Sequence, residues 1–147
     1  MSMHATSRRP VIGGAVYGLL NPIPFGFFVA GLIFDITYAN TAVVMWGKAA
    51  DWLITLGLLF AIVPRLMNAV QVWVISRRSV TRFDKLDFWL NLLAIVAAIF
   101  NAFVHSRDAY EVVPTSVYLS ICTVTLMAVG YIVLGAQRAK AGSIVHE

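Results

Sequence analysis

Four stretches of this chain are long and apolar enough to cross a membrane. A helix that spans the hydrocarbon core needs roughly 20 mainly apolar residues. Segments near that length lie at 15–38, 52–75, 88–103 and 117–136, and the second starts somewhere between Ala42 and Trp52. Lipid offers backbone N–H and C=O groups no water, so each span must satisfy them within a helix. Composition agrees with this. Apolar residues make up 60% of the chain and charged residues 12%, against about a quarter charged in a soluble domain. The fold class expected is all-α: an integral membrane four-helix bundle. Its short loops make sequential helices antiparallel neighbours. Residues 1–14 and 137–147 are tails around a membrane domain at 15–136.

Orientation follows from Lys and Arg in the short loops. Arg8 and Arg9 precede the first span, Arg77, Arg78, Arg82 and Lys85 separate the second from the third, and Arg138 and Lys140 follow the fourth. The opposite side carries only Lys48 and Arg107, so both termini are expected in the cytoplasm. Trp and Tyr favour the interfaces. Tyr38, Trp46, Trp52, Tyr110 and Tyr118 fall at the predicted outer ends, and Tyr17, Trp73 and Trp89 at the inner ends. The net charge of +4 comes from these basic loops and gives no ground for a nucleic-acid partner. The first span does not read as a signal peptide: it runs too far, contains Asp35 and is followed at once by another span. Cys122 is the one cysteine, which excludes an intrachain disulfide.

The first span opens on Pro22 and Pro24. Proline lacks a backbone donor and clashes with the preceding turn, so a helix break or kink is expected there, with 15–20 as a lead-in. Pro64 is expected to kink the second span in the same way. Asp35 lies about two turns from the outer end of the first span. A carboxylate at that depth must face the bundle and find a partner. Lys48 is the natural candidate across the short turn, with Asp51 three residues further on, and the three are expected to form a structural ion pair closing the first hairpin.

The second span also carries Arg65, Asn68 and Gln71 at intervals of three. A polar stripe on a spanning helix faces protein or water, and Asn91 and Asn101 are expected partners. The bland reading is a structural network. The functional one is a ligand site for an anion or a quinone headgroup, whose oxygens a guanidinium and amides can bond. Haem finds little support. His4 and His146 lie in tails, which leaves His105 alone near the membrane. A bis-histidine site within one chain is therefore not expected, and His105 is a weak metal candidate, read instead as an interfacial polar residue beside Arg107 and Asp108. The sequence carries no phosphate loop, HExxH or nucleophile motif, and no catalytic residue is assigned.

The run Leu19-Leu20-Asn21-Pro22-Ile23-Pro24-Phe25-Gly26 with the following Asp35, then a tryptophan-bearing second helix and the stretch from Phe83 to Phe103, resembles a bacterial membrane family termed domain of unknown function 2231. The likeness covers about 17–136. Members usually carry a His-Pro pair just before the double proline, where this chain has Tyr17-Gly18. The resemblance implies a four-helix protein of the bacterial inner membrane, in a redox context that includes iron–sulfur domains and sugar dehydrogenases. The function expected is a non-catalytic anchor or accessory subunit of a membrane redox assembly, partnered by a membrane or periplasmic redox protein. Two rival readings are a small homo-oligomeric transporter or channel, and a quinone- or haem-binding electron carrier.

Overall fold

The computed structural model describes residues 22–70, 82–107 and 112–144, and within these the backbone alone at 64–65, 67–70, 82–85, 87, 134 and 137–144. The described residues form four helices and no strand: α1 Ile23–Thr41, α2 Val44–Val70, α3 Arg82–His105 and α4 Thr115–Ile144. Each contains a stretch long and apolar enough to cross a membrane: Ile23–Thr41, Val44–Val63, Phe88–His105 and Thr115–Val133. The second begins earlier than 52 because two residues, Ala42 and Val43, suffice to turn the chain. Ala42 adopts the left-handed conformation (φ 55°) that ends α1, and its N–H donates to Tyr38 O at 2.8 Å. Helices α3 and α4 outrun the apolar segments expected from sequence, since helical geometry continues past the point where apolar character stops.

Pro22 and Pro24 are where α1 begins. Pro22 is the N-cap and Pro24 lies in the first turn, where no N–H is needed and a fixed φ is already helical. No break interrupts α1 after them, and the expected lead-in at 15–20 lies outside the described residues. Helix α2 runs unbroken through Pro64 to Val70, a continuity compatible with the kink expected there. Neighbouring helices and local adjustment let spanning helices tolerate proline.

Extensive helix contacts join α1 to α2, α2 to α3, α3 to α4 and α4 back to α1, a closed ring with α1 and α3 on one diagonal. Pairings along α1 and α2 run in opposite directions. Tyr38 meets Gly47, Gly31 meets Ile54, Phe28 meets Gly57 and Phe27 stacks on Phe60. Helix α4 is also antiparallel to α1, with Phe25 against Tyr131 and Asp35 against Ser120.

Buried positions recur at alternating intervals of three and four on every helix: 24, 28, 31, 35 and 38 on α1; 50, 54, 57 and 61 on α2; 91, 94, 98, 101 and 105 on α3; 116, 120, 123, 127 and 130 on α4. That spacing is the seam of bundles with small crossing angles. Most of the residues on it are small or polar, as expected where lipid is as apolar as the core. Phe28, Ile54, Ala61, Ala94, Ala98 and Met127 form the apolar middle. Outside, Trp52, Leu59, Phe103 and Ile132 are each at least 60% exposed. This inverted distribution is what a bilayer solvates. Polar side chains on the outside bond their own helix instead: Thr37 to Ile33 O, Asn40 to Ile36 O and Thr41 to Thr37 O.

At Gly57 on α2 an added Cβ would stand 2.9 Å from the Phe28 ring of α1. Overpacking of this kind destabilises by about 1–3 kcal/mol. Gly57→Val should lower the unfolding midpoint in mild detergent, whereas Gly135→Ala, with nothing within 4 Å of the new methyl, should not.

Candidate functional site: a buried histidine–aspartate pair beneath a charged cleft

The seams of α1, α3 and α4 bring their polar residues together at the end of the bundle that carries the α1–α2 turn. Asp35 is fully buried two turns before the end of α1, and His105 is the last residue of α3. His105 Nε2 lies 2.8 Å from Asp35 Oδ1, with both side chains almost completely enclosed. The other carboxylate oxygen, Oδ2, accepts from the Ser120 hydroxyl on α4. Ser120 in turn accepts from Asn101 Nδ2 at 2.7 Å, and His105 Nδ1 faces the Asn101 carbonyl one turn back at 3.0 Å.

These contacts fix the hydrogens. A backbone carbonyl only accepts, so His105 Nδ1 carries a proton and donates it. Ser120 has a single hydroxyl proton and gives it to Asp35, so Asn101 must present its NH₂ to Ser120. One proton is left for the line between Nε2 and Oδ1. On Nε2 it makes an imidazolium–carboxylate pair; on Oδ1 it makes a neutral pair. Both forms keep every hydrogen bond and both sum to zero charge, which suits a group shielded from water. Two buried atoms of the cluster, Asn101 Oδ1 and Ser116 Oγ, have no protein partner.

Above the pair is a cleft of about 30 Å³ between the start of α2, the end of α1 and the segments flanking α3 and α4. Lys48, Asp51, Tyr38, Arg107 and Val112 line it, with His105 at its base. About 10–15 Å³ open to a water-sized sphere holds one water, so the cleft suits about two. Pockets for small organic ligands run to several hundred Å³.

This arrangement corrects the expected ion pair. Asp35 pairs with His105, not Lys48. Lys48 is exposed near the start of α2, where its ammonium stays hydrated, whereas His105 arrives from the diagonal helix directly beside the carboxylate. Asp51 is half-buried on the cleft wall. His105 itself is buried rather than interfacial, and Asp108, its expected neighbour, lies outside the described residues. Of the expected ligand set, two side chains are described, and they lie apart. Asn101 belongs to the histidine–aspartate cluster. Asn91, also buried, is ten residues away, about 15 Å along α3. The side chains of Arg65 and Asn68, and the whole of Gln71, lie outside the described residues. No group of three or more His, Cys, Asp or Glu able to hold a metal occurs among the described residues.

Sequence reasoning missed the pair by weighing His105 against its neighbours in the chain. The signal was present in the spacing. Asn91, Asn101 and His105 share the three-and-four register with Ala94 and Ala98, so His105 lies on the inner seam of α3.

The chain belongs to the family described as a predicted membrane protein, domain of unknown function 2231, which matches residues 15–145. No curated protein and no solved structure matches it.

Removing one member of a buried pair leaves the other uncompensated, a loss of about 3–5 kcal/mol. Asp35→Ala and His105→Ala should each destabilise the bundle to that extent, and the double variant should fall well short of their sum. Lys48→Ala should leave the unfolding midpoint unchanged. Chemical unfolding in mild detergent reads all four.

Proposed function

We propose that this member of the family is a non-catalytic anchor or accessory subunit of a membrane assembly, seated in the bacterial inner membrane with both termini in the cytoplasm. The observation that carries this reading is the mutual bonding of the polar cluster at the α1–α2 turn end. Asp35, His105, Ser120 and Asn101 bond one another across α1, α3 and α4, and the cleft above them is water-sized. A bundle locked in this way offers a rigid lipid-facing scaffold. The basic residues at the two ends and between the second and third spans support the orientation. The redox nature of the partner rests on the resemblance alone. A quinone headgroup would need a site other than this cleft.

Purification from native membranes in mild detergent, with mass spectrometry and a visible spectrum on the same sample, tests the proposal. The expected result is a stoichiometric protein partner, and a dehydrogenase or iron–sulfur protein would identify the redox assembly. A lone, colourless oligomer overturns it, and solute flux in liposomes then tests the transporter reading. A Soret band would instead establish a haem carrier. One observation favours a transporter over an electron carrier as the second reading. An ionisable pair inside a membrane domain, with His105 at the base of a cleft, is a recurring element of ion and proton pathways.

A further inference from the structure

We propose that the His105–Asp35 pair is a proton-binding site, loaded from the α1–α2 turn end through water in the cleft. Three independent features point to it. First, the 2.8 Å line from Nε2 to Oδ1 holds a single proton that can rest on either atom without any heavy atom moving. Transfer breaks the Nε2–H bond and forms the Oδ1–H bond, and total charge stays at zero. Second, His105 is the one member of the pair that lines the cleft, so exchange with bulk water starts at its ring. Third, Asn101 Oδ1 and Ser116 Oγ are buried without a protein partner.

Those two atoms lie close to the pair. Asn101 is one turn before His105 on α3 and bonds Ser120, while Ser116 is one turn before Ser120 on α4. The Ser116 N–H donates to Val112 O, and Val112 is itself a cleft residue. Buried polar atoms left unpaired by the protein are where ordered water is found when there is room for it. In this proposal, water bound at Ser116 Oγ extends the polar path from the cleft toward the cluster.

The charged and titratable groups facing His105 come from every side. Among the described residues, Asp35 and Tyr38 belong to α1, Lys48 and Asp51 to α2, and Arg107 follows α3, while α4 contributes the Ser120 hydroxyl that donates to Asp35. The proposal does not depend on any partner protein, so it stands or falls separately from the anchor reading.

Nitrogen-15 NMR of the three histidine rings, on protein reconstituted in lipid, tests it. His105→Gln identifies the His105 signals, and His4 and His146 serve as references in the same sample. The range of about pH 4–8 covers free histidine and aspartate. The expected result is a His105 ring that exchanges its Nε2 proton with solvent and shows a protonation step separate from both references. Asp35→Asn should remove that step and hold the ring in the neutral Nδ1–H form, because an amide can donate to Nε2 but cannot trade a proton with it. Ser120→Ala, which deletes only the donor to Oδ2, should displace the step without moving the references, and it serves where Asp35→Asn does not assemble. Ser116→Ala should slow exchange at Nε2. A His105 ring whose step matches the references and ignores both Asp35→Asn and Ser120→Ala would overturn the proposal. A ring that shows no exchange with solvent would overturn it equally.

Discussion

A carboxylate inside a bilayer needs a partner that arrives already desolvated, and the architecture of this protein follows from how Asp35 finds one. Its partner comes from α3, the helix diagonal to it in the ring, through His105. Ser120 on α4 holds the other oxygen. Three helices are thereby fixed in register at one end by contacts that have no substitute in lipid. Hydrophobic burial cannot do this, because the hydrocarbon outside is as favourable to an apolar side chain as the bundle interior. Directional bonds between polar groups supply what apolar packing lacks here.

The rest of the interior is arranged to let those bonds form. Small residues on the seams bring the helices close: Gly31 and Gly57 admit Ile54 and the Phe28 ring, and Ala94 and Ala98 line α3 below Asn101. Large side chains are turned outward, where lipid accepts them. The α1–α2 turn is as short as two residues because Ala42 takes the left-handed conformation. That turn places Lys48 and Asp51 beside the cleft rather than inside the cluster. Depth therefore separates two kinds of charge. Those that keep contact with water ring the opening, and the enclosed pair shares a proton below.

Much of this was legible in the sequence. Run length and apolar content were enough for four helices, and the resemblance carried by Pro22 to Gly26 and Asp35 pointed to the family that matches residues 15–145. The need of Asp35 for a partner was also legible, since it follows from desolvation alone. The identity of that partner was not. Lys48 is thirteen residues from Asp35 and His105 seventy, and proximity in the chain favoured the wrong one.

What the sequence determined by itself is what depends on solvent and on local geometry: spanning helices, because lipid leaves backbone groups no other partner, and a buried acid that must be compensated. The three-and-four spacing that aligns Asn101 with His105 and Ser116 with Ser120 was also present, but which face it marks as inward is visible only in the structure. What only the tertiary structure decided is which inward-facing groups meet. That depends on the axial offset of each helix against its neighbours and on which helix lies across the diagonal. These are properties of the assembled ring, and no single helix encodes them.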